Sequence, residues 1–282
     1  MRIDCQKQLD ICQQATENEP EGACGHVEIR VHNAAEPKTL VYLPGIHGDW
    51  TLAGGFRRAL NDKLTFVEVS YPQGTTWTHA DYAAAIVQAL AEREIRSGWL
   101  LGESFGSQIA WEMCRQGVFR VEGIILAGGF IRHPLPFLAK LLYMATGRRS
   151  YRVTRAALAV YSRVARARFG DSPQTLTEIQ EFVARRTAGD FRSCRHRLAL
   201  VAGHDPREIV TRLRIPVFAL SGLFDPIVPR RLVRRWLQSN CTGFRDHALI
   251  WRADHNVLGT APKAAATQVL EWISRQPMTD RL

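Results

Sequence analysis

The chain of 282 residues lacks any stretch that could cross a bilayer, because no uncharged run approaches the roughly 20 apolar residues a spanning helix needs. No secretory leader is expected either. Met1-Arg2-Ile3-Asp4-Cys5-Gln6-Lys7-Gln8 carries charges where a leader would need an apolar run. Its six cysteines (5, 12, 24, 114, 194 and 241) are scattered, without the close pairing of a zinc site. Reduced thiols in a cytoplasm are the expectation. Internal repeats and low-complexity tracts are missing as well. With 46% hydrophobic and 23% charged residues the composition excludes wholesale disorder. The length fits one large domain, or one carrying an insertion. Acidic residues are the scarce charge: 27 stand against 37 lysines and arginines, leaving a net +10. A basic excess invites nucleic acid, anionic membranes or acidic ligands, provided it is concentrated somewhere.

The first 25 residues are polar and without sustained period, which predicts a loosely held arm or short helix. From His26 the text changes. His26-Val27-Glu28-Ile29-Arg30-Val31-His32 alternates with period two, as a half-exposed strand does. Further strands are predicted at Thr39–Leu43, Leu64–Val69, Trp99–Leu101, Val121–Ala127, Pro216–Ser221 and Ala248–Trp251. Helices are predicted between them: Asp81–Arg93, a segment through Ile109 and Met113 to about Gln116-Gly117, Arg230–Gln238 and Ala261–Arg275. Apolar strands alternating with helices mean crossover units and a mostly parallel, doubly wound sheet covered on both faces. The alternation breaks once, between about Ile131 and Arg212, where helical periods continue without a strand. That break reads as a helical insertion, between the sixth and seventh strands if an opening hairpin supplies the first two.

Gly102-Glu103-Ser104-Phe105-Gly106 is a G-x-S-x-G pentapeptide set between a buried strand and a helix. This is the setting of a nucleophile elbow, in which a sharp turn projects the serine hydroxyl at the carboxyl edge of the sheet. The flanking glycines fit because neighbouring backbone comes too close for a side chain. A serine hydroxyl needs a base to take its proton. In this chain order the base lies near the C-terminus, which leaves His247 and His255. His255 follows the carboxyl end of the last strand and is the choice; His247 opens that strand at the far end and reads as a surface residue. The orienting acid should also follow a strand end, and Asp225 in Phe224-Asp225-Pro226-Ile227-Val228-Pro229 does so. Gly128-Gly129-Phe130, after the preceding strand, offers no acid, and Asp254 adjoins the base with its side chain expected to point away. Oxyanion donors are expected from the backbone N–H groups of Phe105 and of Ile46, the latter in the loop Pro44-Gly45-Ile46-His47-Gly48-Asp49-Trp50. His47 is expected to brace that loop or, less favoured, to touch substrate.

With these pieces in the order loop, elbow, acid, base, the chain resembles the α/β-hydrolase superfamily over about residues 26 to 275. The resemblance rests on Leu43-Pro44-Gly45-Ile46-His47-Gly48, on Gly102 to Ser107, on Gly222 to Pro229 and on Ala253-Asp254-His255-Asn256. It implies a triad of Ser104, Asp225 and His255, a helical cap and no metal or organic cofactor. One departure is Ser107, where many relatives have a second glycine; it is expected to tighten helix–strand packing. The implied organisation is an arm (1–25), a core (26–130 and 213–282) and a cap (131–212). The implied reaction is hydrolysis of a carboxylic ester or thioester through an acyl-enzyme on Ser104. Two alternatives remain: an idle hydrolase fold that binds ligand, or an acyltransferase or C–C hydrolase using the same triad.

Residues 131–212 hold sixteen lysines and arginines against six acids, which is the protein's whole positive excess. If Arg148 to Phe169 forms one helix, Arg148, Arg152, Arg155, Arg163 and Arg166 share a stripe, with Val153, Ala157, Val160, Tyr161 and Val164 opposite. The plain reading is a solvated outer face. The sharper ones are capture of an anionic acyl substrate or contact with an anionic membrane surface. Leu135, Phe137, Leu138, Leu141, Leu142 and Tyr143 are apolar enough to line an acyl pocket or meet lipid. Nucleic acid is not expected, since no binding module accompanies the charge.

Overall fold

A computed structural model of the chain describes residues 25–74, 76–135 and 172–276, together with 137, 160, 163 and 164. The predicted N-terminal arm and most of the arginine stripe lie outside the described residues. Of that stripe's helix only Val160, Arg163 and Val164 are described; they are helical, and all three are exposed, the two valines included.

Among the described residues the sheet has seven strands in the order β1-β3-β2-β4-β5-β6-β7. They are β1 (Glu28–His32), β2 (Thr39–Leu43), β3 (Thr65–Ser70), β4 (Ser97–Glu103), β5 (Arg120–Ala127), β6 (Val217–Gly222) and β7 (Phe244–Ile250). From β2 onward every pairing is parallel, while β1 runs antiparallel beside β3. β1 and β2 therefore do not form the expected opening hairpin. β1 and β2 follow one another in the chain but are separated in the sheet by β3, and the break in alternation falls after the fifth strand rather than the sixth.

Helices cover both faces. On one side lie α1 (Gly54–Ala59), α8 (Val257–Thr260) and α9 (Pro262–Ser274); on the other, α2 (His79–Ala91), α3 (Gly106–Gln116) and α7 (Arg230–Asn240). Period-two alternation along the buried strands divides the core between these layers. Leu40, Tyr42, Leu101 and Ile125 pack with Phe56, Val269 and Trp272. Val41, Leu43, Leu100 and Ile124 pack with Ile86, Ile109 and Trp111. Helix α2 begins at His79, two residues before the predicted start, because Thr78 and Asp81 form a reciprocal capping box.

Between β5 and β6 the described residues from 172 on form the helices α4 (Pro173–Ala184), α5 (Ala188–Gly203) and α6 (Arg207–Arg212), with short connections and no strand. Ile179 and Phe182 of α4 pack with Leu52 in the loop after β2. Val201 of α5 and Val210 of α6 are buried in the main core. Cys114, Cys194 and Cys241 are free thiols, and burial raises the pKa of each, so they stay protonated at neutral pH. No helix among the described residues is long and apolar enough to cross a membrane.

Candidate active site

Three strand ends meet at the carboxyl edge of the sheet. Ser104 follows β4 directly and has φ +48°, a left-handed conformation that a non-glycine residue holds only when its surroundings impose it. The surroundings are close. A Cβ placed on Gly106 would lie 2.0 Å from the carbonyl oxygen of Leu43, so the first turn of α3 rests directly on the end of β2. Gly106→Ala is expected to destabilise the protein by about 3 kcal/mol, because backbone on both sides must move. Urea unfolding measures this directly.

Ser107 is fully buried, and its hydroxyl lies 2.6 Å from the Ser104 carbonyl and 2.9 Å from that of Phe130. It also accepts from the Phe130 N–H at 3.1 Å. The residue that departs from the family pattern thus ties the elbow to the segment leaving β5.

The other two strand ends supply the acid and the base. Asp225, between β6 and α7, has a buried side chain with its two oxygens used separately. Oδ1 accepts from the N–H groups of Ile227 and Val228 at 2.8 and 3.0 Å, which fixes the carboxylate on its own loop. Oδ2 lies 2.9 Å from His255 Nδ1, and His255 Nε2 lies 2.9 Å from Ser104 Oγ. One tautomer satisfies both contacts: Nδ1–H donates to Asp225 and Nε2 accepts from the serine hydroxyl.

The electrostatics follow from these contacts. Burial disfavours an imidazolium at His255, but the hydrogen bond and charge of Asp225, with Glu103 and Asp254 farther off, outweigh it and raise the pKa above the ordinary 6.5. Burial likewise works against the Asp225 carboxylate. His255 and the two backbone N–H groups reverse that and hold its pKa below the usual range.

Asp254 directs Oδ1 to the Asn256 N–H at 2.9 Å and the Thr260 hydroxyl at 3.2 Å. His247 differs from expectation. It sits within β7, which starts four residues earlier than predicted, and is half-buried with Nε2 3.1 Å from Ser221 Oγ. It is a packed strand residue rather than a surface one.

Phe105 is the residue that caps the start of α3, so its backbone N–H stands at the N-terminal end of that helix, next to Ser104. On the other side a Cβ on Gly45 would lie 3.6 Å from Ser104 Cβ, so the loop carrying Ile46 runs beside the serine side chain. His47 sets its ring edge-on against Phe182 with centroids 5.2 Å apart, and burial lowers its pKa, keeping it neutral. Sequence reasoning overlooked Glu103, which is 3% exposed and accepts a 2.5 Å hydrogen bond from the fully buried Tyr42 hydroxyl. An acid within the elbow pentapeptide, preceded by a buried strand, was the available signal. Among the described residues no group of three His, Cys, Asp or Glu side chains is placed to hold a metal ion.

The alpha/beta hydrolase family model matches residues 40–268, a span that includes the elbow, the acid loop and the C-terminal histidine. The chain belongs to that family. This hydrolase-family chain is similar in structure to an esterase from Thermogutta terrifontis, at 16% identity and TM-score 0.71 over 88% of this chain and 93% of that one. It is similar to a hydrolase from Pseudomonas aeruginosa PA01 at 17% identity and TM-score 0.73, over 92% and 99% of the two chains. An enol-lactonase from Burkholderia xenovorans LB400 matches at 14% identity and TM-score 0.72, over 88% and 96%. At such identities the likeness speaks for the fold of this family member. No curated protein matches its sequence.

Proposed function

We propose that the protein is a serine hydrolase that cleaves a carboxylic ester or thioester through a covalent acyl-enzyme on Ser104. The observation that carries this reading is the unbroken relay from Ser104 Oγ through both nitrogens of His255 to Asp225, each step 2.9 Å. In the first half-reaction Ser104 Oγ attacks the substrate carbonyl while His255 Nε2 takes its proton, and Asp225 stabilises the imidazolium. The oxyanion is met by the N–H groups of Ile46 and Phe105, which need no reorganisation when charge develops. Collapse expels the alcohol or thiol, protonated by His255. A water, deprotonated by the same imidazole, then releases the acid. The names of the structural relatives, an esterase and an enol-lactonase, involve bonds of this chemical type. The segment 131–212, of which the described helices α4 and α5 contact the loop after β2, is assigned to substrate selection.

A panel of p-nitrophenyl esters and acyl-CoA thioesters of graded chain length tests the reading. Turnover of either series, lost in Ser104→Ala, supports it; a folded protein idle on both contradicts it. The same assay carries a pH prediction. Only neutral His255 can accept the serine proton, and its pKa is raised above 6.5. Activity is therefore expected to fall on acidification through a single ionisation. The midpoint in the kcat/KM profile should lie above 6.5, because that profile reports the free enzyme.

A further inference from the structure

Arg197 is an arginine of the basic segment that does not face solvent. It lies on α5 at 1% exposure and divides its guanidinium among three neutral acceptors. Nη1 donates to the Ile46 carbonyl at 2.9 Å, Nη2 to the Pro72 carbonyl at 2.8 Å, and Nε to the Tyr82 hydroxyl at 3.2 Å. The rings of Tyr71 and Tyr82 stand 5.3 and 5.6 Å from its Cζ. A long side chain buried this completely gives up its rotamer freedom and its hydration, so the three bonds must hold something that matters.

What they hold is the loop after β2. The Ile46 N–H shares a peptide plane with the Gly45 carbonyl, and the next plane carries the Ile46 carbonyl. The Gly45 carbonyl is closed onto the Gly48 N–H at 3.0 Å. The Pro44 carbonyl accepts from the Tyr71 hydroxyl at 3.1 Å, and the Gly48 carbonyl from the Tyr71 N–H at 2.7 Å. The Ile46 carbonyl is held from α5, across 151 residues of sequence, by Arg197. Gly48 accommodates that approach. Its φ is +86°, and a Cβ there would lie 2.4 Å from Arg197 Nη1. The same segment also meets the loop through Phe182 against His47 and through Arg186 in an ion pair with Asp49.

We propose that Arg197 is a positioning residue: it fixes the peptide planes around Ile46 so that the Ile46 N–H is aimed at the oxyanion before the reaction begins. The inference rests on the acyl-enzyme reading of Ser104. The guanidinium reaches its three separated acceptors from three different nitrogens held in one rigid plane, whereas lysine gathers its three donors on a single nitrogen at the end of a flexible stem. The segment after β5 therefore acts on transition-state stabilisation as well as on substrate access.

The test is steady-state kinetics per titrated active site, with Ser104 counted by fluorophosphonate labelling, alongside binding of a trifluoromethyl ketone that forms a tetrahedral adduct on serine. In Arg197→Lys, kcat on a p-nitrophenyl ester should fall about 30- to 100-fold, with KM within about twofold and ketone affinity reduced by the same factor as kcat. Tyr82→Phe, which removes one acceptor and leaves the arginine in place, should show the same pattern at about fivefold. In Arg197→Ala, added guanidinium ion should restore part of kcat. A merely structural role would lower the number of titratable sites and leave kcat per site and ketone affinity unchanged. That result, in either Arg197→Lys or Tyr82→Phe, overturns the proposal. Failure of wild-type Ser104 to take the label is a different outcome, which removes the acyl-enzyme reading itself.

Discussion

Ser104→Ala is expected to lower kcat on a p-nitrophenyl ester by about a million-fold, the scale seen when a serine nucleophile is removed from an intact triad. The size follows from what is left behind. His255 and Asp225 would remain 2.9 Å apart, but with no hydroxyl within 2.9 Å of Nε2 to activate, the imidazole could only polarise a water held less well than a bonded side chain. The residual rate, about a thousand-fold above the reaction in water, would come from the oxyanion donors and from binding. Folding should be little affected. Ser104 is only half-buried, and alanine keeps its Cβ while the positive φ is imposed by Gly106 and Ser107 around it. Thermal unfolding within a few degrees of wild type, with turnover at background, is the expected pair of results.

Asp225→Asn is expected to cost about ten-thousand-fold in kcat with the fold retained. Asparagine can still accept from Ile227 and Val228 through its carbonyl oxygen, so the loop should keep its shape. The atom facing His255 Nδ1 would then be an amide NH2, a donor where an acceptor stood. That arrangement favours the tautomer with the proton on Nε2, which cannot take the proton of Ser104. The charge effect adds to this. With the carboxylate gone, burial dominates the His255 ionisation, and the acid midpoint of kcat/KM should drop below the wild-type value instead of lying above 6.5. A residue acting only as a turn former would lose stability without moving that midpoint.

The parts of this site that were legible in the sequence are those set by local rules. A buried strand running into a glycine-flanked serine specifies an elbow, because few other uses of that pattern tolerate the turn it requires. Asp225 and His255 were readable for the same reason, each lying just past a strand. Legibility ended where partners are chosen at a distance. That β1 lies beside β3 rather than β2 is a matter of sheet assembly, and nothing in either strand's alternation announces it. His247 looked exposed because the polar start of β7, with Arg245 and Asp246, does not read as strand. The arginines are the clearest case. Arg192, Arg195 and Arg197 occupy one helix within six positions, and it is Arg197 that turns into the protein to meet the loop at Ile46. Local pattern assigns all three to a charged surface. The acceptors that select one of them come from the loop after β2, the loop after β3 and α2, which only the folded chain brings together.

The acyl-enzyme reading meets its most direct test in one labelling experiment: the folded protein is treated with a fluorophosphonate, digested and analysed by mass spectrometry. The expected result is stoichiometric modification of Ser104, absent in Ser104→Ala and strongly slowed in His255→Ala. A folded wild-type protein that leaves Ser104 unmodified, or that takes the label equally well without His255, would contradict it.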